Sequence, residues 1–325
     1  MITRRQLLHV PLATAIALPA LAQQGWRPAK TITILVPYPA GGLMDAIGRR
    51  IATSLSASFK VPVIVDNKPG ANTMIGAAAV AKAAADGHTL LLTTDASITI
   101  NPYLYRKMSY DAERDFAPVT MLCNTVECLI AHPKVPAATL PEFIAWARRE
   151  GNKVNYGSFG IGSNAHLAGA ELQQYLGTEL NHVPYKGQAD LYQALLVNDI
   201  QFVIGTTGVA TQYIHEGRLK LIAPLRPKRA PQFPEVPSAA EQGVPIGHGG
   251  AWFGFLAPAR TPPAAIDVLA REIGVAAQDR DFQTHQVLNQ GLELSQSGPQ
   301  AMALRLQKDR QYYSALIERL RVKLD

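Results

Sequence analysis

The chain has 325 residues, of which 17% are charged and 47% hydrophobic, and it carries a formal net charge of +6 at pH 7. That length suggests two domains, each with enough chain for its own core, and the composition excludes an intrinsically disordered protein. The charge is only mildly basic and no basic run is interleaved with aromatics, so nucleic acid is excluded as a partner class.

The N-terminus has Arg4-Arg5, an apolar run over residues 7–18, then Ala20-Leu21-Ala22. This pattern reads as a secretory signal peptide over residues 1–22, cleaved after Ala22. Thr3-Arg4-Arg5-Gln6-Leu7-Leu8 also resembles a twin-arginine signal, which implies export after folding. The apolar run is short for a bilayer, and no second stretch is long enough to cross one. The mature chain is expected to be soluble and exported. The two cysteines, Cys123 and Cys128, are too few for a disulfide scaffold and are expected as buried free thiols. No His-x3-His or Cys-x2-Cys spacing occurs, so no structural metal is expected.

Residues 31–36 are β-branched and apolar and read as a buried parallel strand. They run into Pro37-Tyr38-Pro39-Ala40-Gly41-Gly42, where Pro39 fixes φ and the glycines are free to adopt φ > 0. A helix should start near Leu43. Strand, Gly loop and helix N-terminus form an anion seat, because unpaired N–H groups and the positive dipole end converge there.

The pattern repeats. Residues 61–65 form a second strand feeding a loop with Asn72 and Thr73 and an alanine-rich helix over 75–85. Residues 89–94 form a third strand ending at Thr94, ahead of Asp95 and Ser97. Alternating strands and helices imply a parallel sheet with right-handed crossovers and a crevice at the strands' carboxyl ends. Residues 116–132 read as a strand pair and the first crossing between two halves. Thr139 is an N-cap with Glu142 at the capping-box spacing.

A second set of loops follows. The strand at 154–156 opens into Gly157-Ser158-Phe159-Gly160-Ile161-Gly162-Ser163-Asn164, the richest Gly/Ser loop in the chain, ahead of a helix over 165–175. A strand near 182 ends in Tyr185-Lys186-Gly187, and one over 200–204 ends in Gly205-Thr206-Thr207-Gly208. Residues 251–257 suit a central strand returning to the first lobe. Amphipathic helices are expected from Thr261, over 282–288 and over 302–320. The expected lobes are 26–123 with 252–325, and 124–251.

Catalytic patterns fail in turn. Tyr156 stands where a nucleophile elbow around Ser158 needs glycine. Ser163 and His166 lie three apart at a helix start, the one pairing that suggests a secreted hydrolase, but no third group is evident and a capping or packing histidine is the blander account. Gly160-x-Gly162 lacks the acidic residue of a dinucleotide fingerprint, and no P-loop exists. Asp45 and Asp95 fit helix-cap or turn roles. Many donors and few acid–base groups describe a binder without catalytic residues or cofactor.

Eight motifs then occur in order. They are Val36-Pro-Tyr-Pro-Ala-Gly-Gly42 with Asp45, Asp66-Asn-Lys-Pro-Gly-Ala71, Asp86-Gly-His-Thr-Leu90, Asn101-Pro102, Gly157-Ser-x-Gly-x-Gly-Ser163 with His166-Leu167, Val183-Pro-Tyr-Lys-Gly187, Pro234-Glu-Val-Pro237, and Trp252. Together they resemble the substrate-binding component of tripartite tricarboxylate transporters, the Bug family. The resemblance covers essentially the whole mature chain. It implies a type II periplasmic binding protein of two α/β lobes, each with a mostly parallel mixed sheet flanked by helices. It also implies a small carboxylate in the interlobe cleft, held by backbone N–H groups and waters largely without arginine. The implied partners are a large and a small membrane subunit, and the chain itself is expected as a monomer. A periplasmic sensor for a signalling receptor is the alternative role. The ligand-binding residues expected are Tyr38, Pro39, Ala40, Gly41, Gly42, Asp45, Asn72, Thr73, Thr94 and Ser97 of the first lobe. Ser158, Gly160, Gly162, Ser163, Asn164, His166, Tyr185, Gly187 and Thr206 of the second should face them. Three places depart from the family pattern: Met44 replaces a small hydroxyl residue, Asn72-Thr73 replaces a glycine, and Thr206-Thr207 replaces an acidic or amide residue.

Overall fold

The structure, a computed structural model, describes residues 25–247, 250–322 and 324. The expected signal peptide lies outside the described residues. The chain begins with β1 (Ile32–Val36), α1 (Leu43–Phe59), β2 (Val63–Asn67), α2 (Met74–Ala81) and β3 (Thr89–Thr94). A π-helical turn at Ala96–Ile100 leads to α3 (Asn101–Leu104) and β4 (Phe116–Thr125). A second series follows: β5 (Glu127–Ala131), α4 (Leu140–Glu150), β6 (Asn155–Ser158), α5 (Asn164–Leu176), β7 (Asn181–Pro184), α6 (Gln188–Leu196), β8 (Phe202–Thr206), α7 (Thr207–His215) and β9 (Lys220–Pro224). The chain closes with β10 (Trp252–Pro258), α8 (Pro263–Ala277), the single turn α9 (Arg280–Phe282), β11 (Leu292–Ser297) and α10 (Pro299–Leu320).

Two mixed sheets result. The first has six strands in the order β11-β4-β10-β3-β1-β2, and the second five in the order β7-β6-β8-β5-β9. β1 is parallel to β2 and β3, while β10 runs antiparallel between β3 and β4. In the second sheet β6 is parallel to β7 and β8, and β5 is antiparallel to β8 and β9. Each sheet therefore has a parallel part built from βα units, whose loops gather at one end. The strands on either side of the crossings, β5 and β10, run antiparallel because the chain enters each lobe from its partner.

Both faces of each sheet are covered, which is why the strands are apolar without strict alternation. On one face of the first sheet, Ile32, Ile34 and Val36 pack with Ile47, Ile51 and Leu55 of α1 and Leu269 and Ile273 of α8. On the other, Leu35 and Leu91 meet Ala77 and Val80 of α2, Trp252 and Met302. The small residues of α2 are required there: a Cβ on Gly76 would lie 2.8 Å from Leu35 and Pro37 side-chain carbons. Cys123 and Cys128 are free and buried in the cores of different lobes.

Residues 116–132 form two strands of different sheets, β4 and β5, with the expected crossing between them. Three expectations are corrected. The helix expected over 75–85 stops at Ala81, ahead of a turn held by Trp26, whose Nε1 donates to the Asp86 carbonyl at 3.1 Å. The helix expected over 282–288 breaks into α9, a π-helical turn and a 3-10 turn. β11 was not expected, because an edge strand reading Leu-Glu-Leu-Ser-Gln-Ser shows too little apolar content. Thr139 and Glu142 do form the reciprocal capping box.

The C-terminal helix fixes the two lobes against each other. Asp309 of α10 is fully buried and accepts from Trp252 Nε1 at 2.9 Å and Arg305 Nε at 2.6 Å. Arg305 also donates to the Gly250 carbonyl at 2.9 Å, in the segment returning to the first sheet. One turn on, Tyr312 reaches Glu171 of α5 at 2.8 Å, while Ile100, Leu104, Leu167, Tyr313, Leu316 and Ile317 form an apolar seam. Arg305→Ala leaves Asp309 buried without this cation. It is expected to lower unfolding stability by about 3–5 kcal/mol, measured by urea denaturation, whereas a surface variant such as Arg271→Ala should cost about 1 kcal/mol at most.

Candidate functional site between the lobes

The carboxyl ends of the parallel strands face one another across the cleft, where a cavity of about 350 Å³ lies between them. Two larger hollows, about 900 Å³ along residues 102–115 and about 790 Å³ between Gly151 and Leu320, lie on outer surfaces away from the strand ends. The cleft cavity is the one where the two sheets' loops meet.

Of the residues expected from sequence, Tyr38, Asn72, Thr94, Gly162, Ser163, Asn164 and Thr206 line this cavity. Helix starts are concentrated there. Leu43 begins α1, Asn164 and Ala165 begin α5, Gln188 begins α6, and Thr206 caps α7. The first-turn amides of a helix have no intrahelical acceptor, so four positive helix ends point at one space. No lysine or arginine lines it among the described residues.

The other expected residues stand behind or beside the wall. Pro39, Ala40, Gly41 and Gly42 form the exposed loop ahead of α1, with Gly41 at φ +81°. Asp45 is buried and binds the loop to its helix, accepting from Gly41 N and Arg49 Nε, each at 2.9 Å. The Arg49 hydrogen bond holds its carboxyl below the usual range. Ser97 and Thr73 are buried in a hydroxyl chain: Thr93 to Ser97 at 2.6 Å, Ser97 to Thr73 at 2.7 Å. Ala71, Asn72 and Thr73 all have positive φ, so three non-glycine residues occupy backbone that normally favours glycine. Asn101 holds them there, donating to the Asn72 carbonyl at 2.7 Å and accepting from Asn72 Nδ2 at 2.7 Å. Side-chain bonds thus hold the positive-φ backbone at Asn72-Thr73.

In the second lobe, Ser158 is buried and lies 2.7 Å from His182 Nε2. His182 stacks on His166 at 4.2 Å, and burial first, then His166, push its pKa down to about 4. Ser163 Oγ donates to the Gly160 carbonyl at 2.7 Å and accepts from the His166 backbone N–H, capping α5. The His166 ring instead accepts from Gly162 N at 3.1 Å. Ser163 and the His166 imidazole are therefore not a nucleophile and base; each shapes the loop. Tyr185 and Gly187 lie beside α6, which Gly187 caps, outside the cavity wall.

The lobes touch through Asp95, which is fully buried. Asn164 Nδ2 donates to its two oxygens at 3.1 and 3.2 Å, and Tyr313 Oη to Oδ2 at 3.0 Å. Burial, with Asp309 nearby, pushes its pKa up to about 6. Tyr38 Oη sits 2.9 Å from Thr94 Oγ1, and burial raises its pKa to about 12. Gly162 allows the close approach of the lobes: at φ +81°, a Cβ there would lie 2.7 Å from Leu104 Cδ1.

Sequence reasoning missed Ile100, Thr125, Glu127, Ala251, Phe253 and Leu292 in the wall. Thr125 and Glu127 flank one crossing, and Ala251 and Phe253 the other. A chain passing between lobes must border the cleft, and that signal was available.

Two mixed α/β lobes with an interlobe cavity at the strand ends are the type II fold of periplasmic binding proteins. A profile described as tripartite tricarboxylate transporter family receptor (TctC) matches residues 47–322, and the chain belongs to that family. It is 35% identical to protein BugT of Bordetella pertussis over 83% of this chain and 82% of BugT. It is similar to an R. palustris protein solved with adipate, with TM-score 0.78 and 27% identity over 90% of this chain and 98% of that one. MatC from Rhodopseudomonas palustris, solved with bound malate, gives TM-score 0.75 and 27% identity over 89% and 99%.

Two outcomes are expected from this geometry. Asn101→Ala removes both bonds to Asn72 and should cost about 1–3 kcal/mol of stability in thermal denaturation, leaving the loop free to relax from positive φ. The His182 ring, depressed from 6.5 to about 4, should remain neutral at pH 5 by NMR titration. The unfolded chain takes up that proton and the native one does not, so this group destabilises the fold as pH falls from about 6.5 towards 4. His182→Gln should therefore lose less melting temperature than the natural chain between pH 7 and pH 4.5.

Proposed function

We propose that this chain is an exported solute-binding protein that captures a small organic acid between its lobes and delivers it to a tripartite tricarboxylate-type transporter. The carrying observation is the cavity wall: four helix N-termini converge there, with no lysine or arginine among the described lining residues. Oriented amides hold a carboxylate without requiring a charged side chain. The adipate and malate bound by the similar R. palustris proteins support the ligand class. Ser163, Asn164, Thr206, Asn72, Thr94 and Tyr38 complete the polar lining of the seat.

Residues 1–22 act as the signal peptide, the mature chain works in the periplasm as a monomer, and the large and small membrane subunits receive the loaded form. A ligand held by both lobes favours their closed arrangement and raises the melting temperature by mass action.

The test is calorimetric titration with a panel of mono-, di- and tricarboxylates, run on the natural chain and two variants. Lys186, exposed beyond Tyr185, should be dispensable: Lys186→Ala should weaken binding by less than about 1.4 kcal/mol, or tenfold. Gly162→Val introduces a β-branched residue at positive φ and a clash with Leu104, so it should weaken binding by more than tenfold while circular dichroism remains native. Loss of all binding in Lys186→Ala, or native affinity in a folded Gly162→Val, would overturn the amide-seat mechanism.

A further inference from the structure

Within the cavity wall one residue carries a formal charge, and it is an acid. Glu127 opens β5, directly across the ladder from Thr206, the residue that caps α7. Both line the cavity. Glu127 is half-buried and no hydrogen bond to its carboxylate is found among the described residues, whereas the fully buried carboxylates of the interlobe region have donors: Asp95 has Asn164 and Tyr313, and Asp309 has Trp252 and Arg305. The charged groups facing Glu127 are Asp95 after β3 and Glu171 of α5, which oppose its ionisation, and Arg305 of α10, which favours it. Burial and the two acids together outweigh the arginine and raise its pKa to about 7.

A seat with helix amides at several points and one carboxylate is electrostatically two-ended. A ligand carboxylate is stabilised at the amides, and a second one near Glu127 meets like charge. A nitrogen cation in that place instead gains a charge-assisted hydrogen bond and supplies the donor the carboxylate lacks. We propose that Glu127 makes this chain a receptor for a small zwitterion, with one carboxylate and one protonated amine, rather than for a dicarboxylate. This rests on the carboxylate-binding reading above and narrows it.

The experiment uses matched linear pairs in which an ammonium replaces one carboxylate: succinate with β-alanine, glutarate with γ-aminobutyrate, adipate with δ-aminovalerate. Affinities are measured by calorimetry on the natural chain and on Glu127→Gln, with native circular dichroism as a control. In at least one pair the amino acid should bind the natural chain about tenfold tighter or more. Glu127→Gln should abolish that preference. The preference should also fade as pH drops through about 7, where the free carboxylate takes up a proton. Tighter dicarboxylate binding in every pair, or an unchanged ratio in folded Glu127→Gln, overturns the role of Glu127 and leaves the carboxylate seat intact. Binding of none of these compounds, and of no member of the wider carboxylate panel, overturns the seat and this inference with it.

Discussion

A helix leaves its first-turn amides without partners, and in this molecule several helices start at the same place. α1, α5, α6 and α7 each follow a strand that ends at the cleft, because parallel βα units deliver their loops to one end of a sheet. Two such sheets, set end to end, aim unsatisfied donors into a shared space. Much of the surrounding structure serves that constraint. The side chains of Asp45, Ser158, Ser163 and His166 tie loops in position, while the glycines at 41 and 162 supply the backbone turns.

The relation between the lobes depends on a second set of contacts, a buried polar set beside an apolar seam. Asp95 receives Asn164 from across the cleft and Tyr313 from the C-terminal helix, and Arg305 and Trp252 hold Asp309 one turn earlier. Such groups are costly to bury and more costly to strip of partners. They have directional requirements that an apolar seam lacks, so they favour one lobe arrangement over neighbouring ones. The apolar residues around Leu104 and Leu167 then cover the joint. Because Asn164 both bridges to Asp95 and begins α5, lobe contact and cavity wall share a residue.

The loop at 71–73 illustrates how strained backbone is held in place by side chains from elsewhere. Three successive non-glycine residues at positive φ carry a conformational cost. Asn101 and Ser97 supply the hydrogen bonds that hold them. The position of Asn72 at the cavity is therefore maintained by residues from the following turn, not by the loop's own preferences.

The local structure was legible in the residues. β-branched runs ending in Gly- or Ser-rich loops, each followed by a helical pattern, specify βα units whatever the rest of the chain does, and the ordered motifs carried the family. The loops that face each other were named from this alone, since strand ends in a parallel sheet have a determined direction. What depended on tertiary structure was everything that strand periodicity leaves blank. It does not say that α2 stops at Ala81, that Trp26 holds the turn at Asp86, or that the polar strand β11 completes an edge. Nor does it separate residues in the wall, such as Asn72 and Thr206, from those behind it, such as Ser97 and His166. That distinction rests on which way a side chain turns when two lobes close on each other, and it is decided by packing and hydrogen bonds between residues far apart in the chain, as with Asp95, Asn164 and Tyr313.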